Sequence, residues 1–69
     1  MAELDTGIPS FRWVQNAIRD RQTVAIKLVT GEEIGGTVRW QDPECICLLD
    51  SGENDILLWR NAIAWLRIR

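Results

Sequence analysis

The chain has 69 residues, a formal net charge of -2, two cysteines and no histidine. A chain of this length forms one domain at most, and its own core is too small to stabilise it strongly. The composition argues against a histidine-based metal or catalytic site, and the negative charge argues against tight, sequence-independent binding of nucleic acid, which depends on excess lysine and arginine.

Residues 1–8 are predicted to be a short polar leader that is mobile at its start. Glu3 and Asp5 stand where a secretory signal would be basic and then apolar, and no apolar run approaches the length that spans a membrane. We therefore expect a cytoplasmic protein that does not insert into a membrane.

Residues 9–21 are predicted to form an amphipathic helix. Pro9 suits the first helical turn, where its missing amide hydrogen would have no partner. Trp13 lies beside the apolar stripe and is expected to belong to the core. The stripe recurs at three- and four-residue spacing and consists of Ile8, Phe11, Val14 and Ile18.

Five short strands are predicted within residues 23–68, because the hydrophobic period changes to two at Val24. The pair Gly35–Gly36 interrupts the second strand, where missing side chains permit a bend. Arg60 and Asn61 leave room only for a tight reversal between the last two strands. The strands are expected over residues 24–29, 34–40, 45–49, 56–59 and 62–68.

Cys45 and Cys47 stand two residues apart in the third predicted strand, which puts both thiols on one face and disfavours a bridge between them. We interpret them as reduced core residues. The alternative is a contribution to a metal site, although two ligands do not complete a tetrahedral site. No cofactor or metal is expected.

Two predicted strands, residues 45–49 and 56–59, are apolar on both faces. One small sheet capped by a helix can hardly cover both faces, and an exposed apolar edge favours pairing with another chain. Because the chain has no disulfide framework, oligomerisation is the expected stabiliser.

Two segments carry a resemblance to a known family. Residues 24–31, with Gly36 after them, resemble the first Sm motif, and residues 56–63 resemble the second motif as it occurs in the Hfq family of bacterial Sm-like proteins. The segment 39–42 is similar to the cyanobacterial branch. The resemblance implies a mainly β, Sm-like fold: one N-terminal helix, then a strongly bent five-stranded antiparallel sheet that forms a small open barrel and assembles into a homohexameric ring through its fourth and fifth strands.

The same resemblance implies an RNA chaperone that acts in post-transcriptional regulation by binding single-stranded or small regulatory RNA, with weakened or altered RNA pockets. The alternative is a ring-shaped platform for a protein partner on the pore-side, or proximal, face, for example in motility or pilus function, with RNA binding secondary. An enzyme is not expected, since the sequence shows no catalytic constellation.

On the proximal face, Arg60 and Asn61 stand where the family has lysine and histidine. Pro43 and Glu44 replace a glutamine–phenylalanine pair, so the ring that stacks on uracil is missing. The tight turn is expected to expose Arg60, whose copies in a ring would surround the pore and bind phosphate or an acidic partner. The alternative is a structural ion pair with Glu44 or Asp55.

On the opposite, distal face, the resemblance implies that Lys27, Thr30 and Gly31 contact RNA. Lys27 replaces the aromatic residue that stacks on adenine in the family, and Glu32 and Glu33 stand close to it in sequence. Because carboxylates repel phosphate, we expect this face to be a poor site for adenine tracts.

Along the outer rim, the resemblance implies RNA contacts by Arg12, Gln15, Arg19 and Gln41. Arg12 lies one helical turn from Gln15, and positions three and four apart share a helix face. The alternative is an ordinary solvated helix face.

Three apolar residues are expected at the subunit interface, namely Leu57, Trp59 and Trp65. Trp59 matches the family's interface aromatic. For Trp65, a position on the ring surface with base stacking is the alternative. Trp40 replaces a small polar residue and is expected at the surface.

Overall fold

The computed structural model describes residues 8–69, so the predicted leader lies, apart from Ile8, outside the described residues. One helix is followed by five antiparallel strands, which confirms the predicted fold class. No helix in residues 8–69 is long and apolar enough to cross a membrane. The elements are α1 (Pro9–Arg19), β1 (Thr23–Leu28), β2 (Glu33–Gln41), β3 (Cys45–Leu49), β4 (Asp55–Trp59) and β5 (Ile63–Ile68), with a 3₁₀ turn at Arg60–Ala62.

Helix α1 begins at Pro9 and ends at Arg19, two residues before the predicted end. Arg21 adopts a φ of 51°, a left-handed conformation that stops a right-handed helix. The amide of Gln22 donates to the Ala17 carbonyl over 3.0 Å, so a carbonyl in the last turn is satisfied without another helical turn.

The sheet has the strand order β4-β3-β2-β1-β5, so the fourth and fifth strands form its two open edges. Strand β2 is central, pairing with β1 through its first half and with β3 through its second half. Gly36 lies where the two halves meet, and a Cβ there would overlap the Leu49 carbonyl oxygen and stand only 2.9 Å from the Leu49 carbonyl carbon. The missing side chain allows β2 to bend against β3.

The core lies between α1 and one face of the bent sheet. Strand β1 presents Val24 and Ile26 to it, both fully buried, as the alternating pattern predicts. Helix α1 adds Val14 and Ala17. The remaining buried members of the cluster are Val38, Ile46, Leu48 and Leu58.

Trp13 is not a core residue, contrary to the sequence-based prediction, because 42% of it is exposed. It lines an open apolar groove of about 480 Å³ between α1 and the sheet, together with Ile46, Ile63 and Leu66. The helix buries only its Val14–Ala17 side, and this leaves the indole at the mouth of the groove.

Cys45 and Cys47 are free and buried. Their register partners on β4 are Trp59 and Leu57, which places both thiols on one sheet face. Burial raises the pKa of both thiols, and the acidic neighbour Asp42 adds to this effect at Cys45. Both side chains are therefore protonated at neutral pH.

Candidate functional site

The β4–β5 turn and the loop between β2 and β3 lie side by side. The Arg60 amide donates to the Glu44 carbonyl oxygen over 2.8 Å, which joins the two segments. Asp42 fixes the loop, because its Oδ1 atom accepts hydrogen bonds from the amides of Glu44 (2.9 Å) and Cys45 (2.6 Å). The structure thus brings together the residues predicted for the proximal face, among which Asn61, Pro43 and Glu44 are exposed.

The side chain of Arg60 turns inward, contrary to the prediction that the tight turn exposes it. Its Nε atom donates to the Asp42 carbonyl over 3.0 Å, and its Nη2 atom donates to the Gln41 Oε1 atom. Its guanidinium carbon lies 4.3 Å from the centroid of the Phe11 ring, a cation–π contact. Burial lowers the pKa of Arg60, and the charge of Asp42 acts in the opposite direction. Within the described chain, Arg60 is a half-buried cation that holds the turn.

Gln41 is buried, with 8% of the residue exposed, so its predicted place on the rim surface is wrong for the single chain. Its Nε2 atom donates to the Phe11 carbonyl (3.0 Å) and to the Gln15 Oε1 atom (3.2 Å), while its Oε1 atom accepts from Arg60. Gln41 therefore connects α1 to the β4–β5 turn. Gln15 stays exposed on the helix, but its amide oxygen is engaged by this contact.

The exposed side of α1 carries Arg12 and Arg19, as predicted. Arg19 donates to both carboxylate oxygens of Asp20, over 3.0 and 3.2 Å. This hydrogen-bonded pairing raises the pKa of Arg19 and lowers that of Asp20. Exposed pairs of this kind contribute little, about 0 to 1 kcal/mol, so a phosphate can displace the carboxylate.

A shallow groove of about 800 Å³ lies beside Arg19, between the end of α1 and strands β2 and β3. Arg21 and Arg39 also line this rim groove, with one acid, Glu53. Arg39 pairs with Asp55 over 3.0 Å, so Asp55, considered above as a partner of Arg60, belongs here instead. Sequence reasoning missed Arg21 and Arg39 as site candidates, because they reach the groove from separate elements.

The β1–β2 turn carries two residues predicted for the distal face. Thr30 and Gly31 are exposed at its tip, and the Thr30 hydroxyl donates to a Glu32 carboxylate oxygen over 3.4 Å. Gly31 has a φ of 103°, which favours glycine, and the space around its Cα is open. The turn also touches the β4–β5 turn, since the Val29 amide donates to the Ala62 carbonyl over 2.8 Å.

The third predicted distal residue, Lys27, stands in a row of paired residues with Glu33 on β2 and Trp65 on β5. Paired residues point to the same sheet face, so Trp65 lies beside Lys27 on the face away from the core. Trp65 is 40% exposed, and the Arg67 guanidinium carbon lies 5.4 Å from the centroid of its ring. The signal for this contact was present in the sequence, since residues two apart on a strand share a face.

Leu57 and Trp59 are exposed apolar residues on the open edge strand β4, with 46% and 52% of each residue accessible. They alternate with buried Leu58 and so share one face. An apolar pair on an open edge can associate with another chain, because strand pairing would satisfy the main chain while covering the side chains.

The chemistry that these surfaces offer is cationic, aromatic and amide-based. Among residues 8–69, no group of three or more acidic or cysteine side chains could hold a metal ion. Arginine binds phosphate through paired donors, indole rings stack on planar groups, and the exposed amide of Asn61 can donate to or accept from a base edge.

Comparisons with known proteins agree on one family. A family model described as Hfq related matches residues 8–68. The chain is 45% identical to an Hfq protein from Anabaena sp., with a TM-score of 0.82 over 90% of this chain and 98% of that chain. A structure of "the pleiotropic translational regulator, Hfq" is 17% identical, with a TM-score of 0.80 over 84% and 95% of the two chains, and shares the fold. Comparison with curated proteins gave no match.

Proposed function

Because the chain belongs to the Hfq-related family, we propose that it is a cytoplasmic, non-enzymatic RNA-binding protein of the chaperone type, acting in post-transcriptional regulation. The main support is the family match over residues 8–68, which spans the helix and all five strands. The arginine-lined groove and the exposed indole of Trp65 supply groups that suit phosphate and base.

The working unit that we propose is a homohexameric ring. Strands β4 and β5 are the two open edges of the sheet, so the β4 edge of one copy can pair with the β5 edge of the next. Leu57 and Trp59 support this arrangement because pairing would cover their exposed apolar surface. The ring would repeat each RNA-contacting group around one axis.

We assign the RNA contacts mainly to the rim and to the sheet face that bears Lys27. Around the rim, Arg12 and Arg19 on α1 would act with Arg21 and Arg39 in the groove, each offering forked donors to phosphate. Arg60 would support the proximal loop rather than touch RNA, because two of its guanidinium nitrogens are engaged within the chain.

The test is the affinity of the full chain for short uridine-rich and adenine-rich RNAs at rising salt. We expect affinity to fall steeply with salt, and each phosphate contact removed in Arg21→Gln or Arg39→Gln to reduce the log–log slope by about 0.7. Glu53→Gln is the matched control in the same groove, and it should strengthen binding because a repulsive charge is lost. A chain that binds neither RNA at low salt would contradict the proposal.

One observation favours a second function, a ring that binds a protein partner on its proximal face. Asn61, Pro43 and Glu44 are exposed there, whereas Arg60 is turned inward, so this face offers an acid and an amide in place of free cations. Such a surface suits a basic protein segment better than phosphate. Glu44→Lys separates the two functions: loss of partner binding with RNA affinity unchanged or increased would support the platform.

A further inference from the structure

The face of the sheet away from the core carries a row of aromatic and basic groups along β5. Trp65, Arg67 and Arg69 are two residues apart, and the strand pairing sets the first two beside Lys27 and Ala25 on β1. Arg69 continues the row, since its amide donates to the Thr23 carbonyl over 2.9 Å. One aromatic ring therefore stands in line with two guanidinium groups.

Trp65 is the centre of this row. Its indole is 40% exposed, so a large apolar ring faces solvent on the side of the sheet that α1 does not cover. Arg67 stacks on it at 5.4 Å, measured from the guanidinium carbon to the ring centroid. The cation–π contact orders both side chains before any ligand arrives, which reduces the entropy lost on binding.

The floor beneath the two arginines is made of small residues. Gly35 pairs with Ala25, and Ala25 pairs with Arg67, so no long side chain rises between β2 and β5 in this row. The Arg69 Nη1 atom lies 3.3 Å from the place where a Cβ of residue 35 would stand, so this guanidinium lies close over Gly35. Ala25 is fully buried as a result of this cover.

We propose that Trp65 and Arg67, with Lys27 and Arg69 beside them, form a stacking platform that binds unpaired bases of single-stranded RNA on the outer face of β1 and β5. The indole offers a π-face to one base, and the flanking cations take the phosphates on either side. Glu33, next to Lys27, weakens that end, so the phosphate contacts centre on Arg67 and Arg69. The poor distal site expected from Lys27 is thus replaced by an aromatic residue supplied from β5.

The platform rests on the proposed RNA binding, and it names the residues and the nucleic-acid class. Single strands are favoured over duplex because bases already stacked in a helix cannot lie on an indole. An acidic peptide would use the arginines, but it gains nothing from stacking on Trp65.

The experiment compares the full-length chain with Trp65→Leu, Trp65→Phe and Arg67→Gln in binding single-stranded adenine-rich and uridine-rich RNA. We expect Trp65→Leu to weaken binding at least about fivefold, which corresponds to about 1 kcal/mol, Trp65→Phe to retain part of it, and Arg67→Gln to lower the salt slope. Trp40→Leu is the matched control, because Trp40 is also an exposed tryptophan, at 46%, and lies on β2 away from β5. Circular dichroism and light scattering verify that every variant keeps its fold and assembly.

The outcomes separate the platform from the proposed function. Wild-type RNA binding that is unchanged in Trp65→Leu and Arg67→Gln would overturn the platform and leave the RNA-binding proposal intact. A wild-type chain that binds no RNA would overturn both. Equal losses in Trp65→Leu and Trp40→Leu, or an acidic peptide that competes as well as RNA does, would also overturn it.

Discussion

At the scale of single residues, Gln41 decides how the helix and the β4–β5 turn are connected. Its amide group donates to the Phe11 carbonyl and the Gln15 side chain, and its carbonyl oxygen accepts from Arg60. In the described residues no buried side-chain polar atom lacks a partner, and Gln41 is the buried polar residue of the core region. Its loss would leave both Arg60 and a main-chain carbonyl short of one hydrogen bond each.

We therefore expect Gln41→Leu to lower the free energy of unfolding by about 1 to 3 kcal/mol, as is usual when buried polar groups lose their partner. Denaturant unfolding measures the change. Gln15→Ala is the control, because it removes the exposed end of the same chain of contacts and should cost much less. Equal stability of Gln41→Leu and the parent would contradict the structural role assigned to Gln41.

Arg60 and Gln41 also show why side-chain roles were hard to predict. A two-residue reversal normally exposes its side chains, and this favoured a surface role for Arg60. Its partners lie far away in sequence, 18 residues for Asp42 and 19 for Gln41, and only the closure of the sheet brings them within reach. Residue types were read correctly, but the orientation of the guanidinium depended on tertiary contacts.

At the scale of the element, β2 carries the bend that allows a nine-residue strand to pair with β1 at one end and β3 at the other. The neighbouring glycines Gly35 and Gly36 make different contributions. A Cβ at Gly35 would meet the mobile guanidinium of Arg69 at 3.3 Å, whereas a Cβ at Gly36 would meet the backbone of Leu49. A side chain can move aside, but a paired strand backbone cannot.

Gly36→Ala should therefore cost about 3 kcal/mol or more, because the added methyl group forces β2 and β3 apart. Gly35→Ala is the matched control one residue away, and its effect should stay within about 1 kcal/mol. Thermal unfolding of both variants measures the difference. If the two substitutions have equal effects, the bend does not depend on the close approach at Gly36.

At the scale of the whole molecule, the sheet ends in two open strands, and large apolar side chains lie exposed around it. Leu57 and Trp59 stand on one edge strand, and Trp13 lies at the mouth of an open apolar groove. For a chain with a small core of its own, covering this surface by association provides stability that the single chain lacks.

Trp59→Ala should weaken the assembly, since it removes the larger part of the apolar surface on the β4 edge. If the indole is fully buried between copies, the loss is about 3 to 5 kcal/mol per contact, enough to release smaller species at micromolar concentration. Sedimentation of the variant at several concentrations tests this, with Trp40→Ala as the exposed-tryptophan control. A Trp59→Ala ring as stable as the parent would place this tryptophan outside the interface.

The sequence by itself determined the order of the helix and five strands, the inward side of β1 and membership in the Hfq-related family, including its likeness to a cyanobacterial relative. These features follow from local periodicity, glycine positions and short motifs, all of which are properties of neighbouring residues. Only the tertiary structure decided that Arg60 turns inward, that Gln41 is buried and that Trp13 is exposed. Such outcomes depend on which distant segments close over a side chain, and no local pattern carries that information.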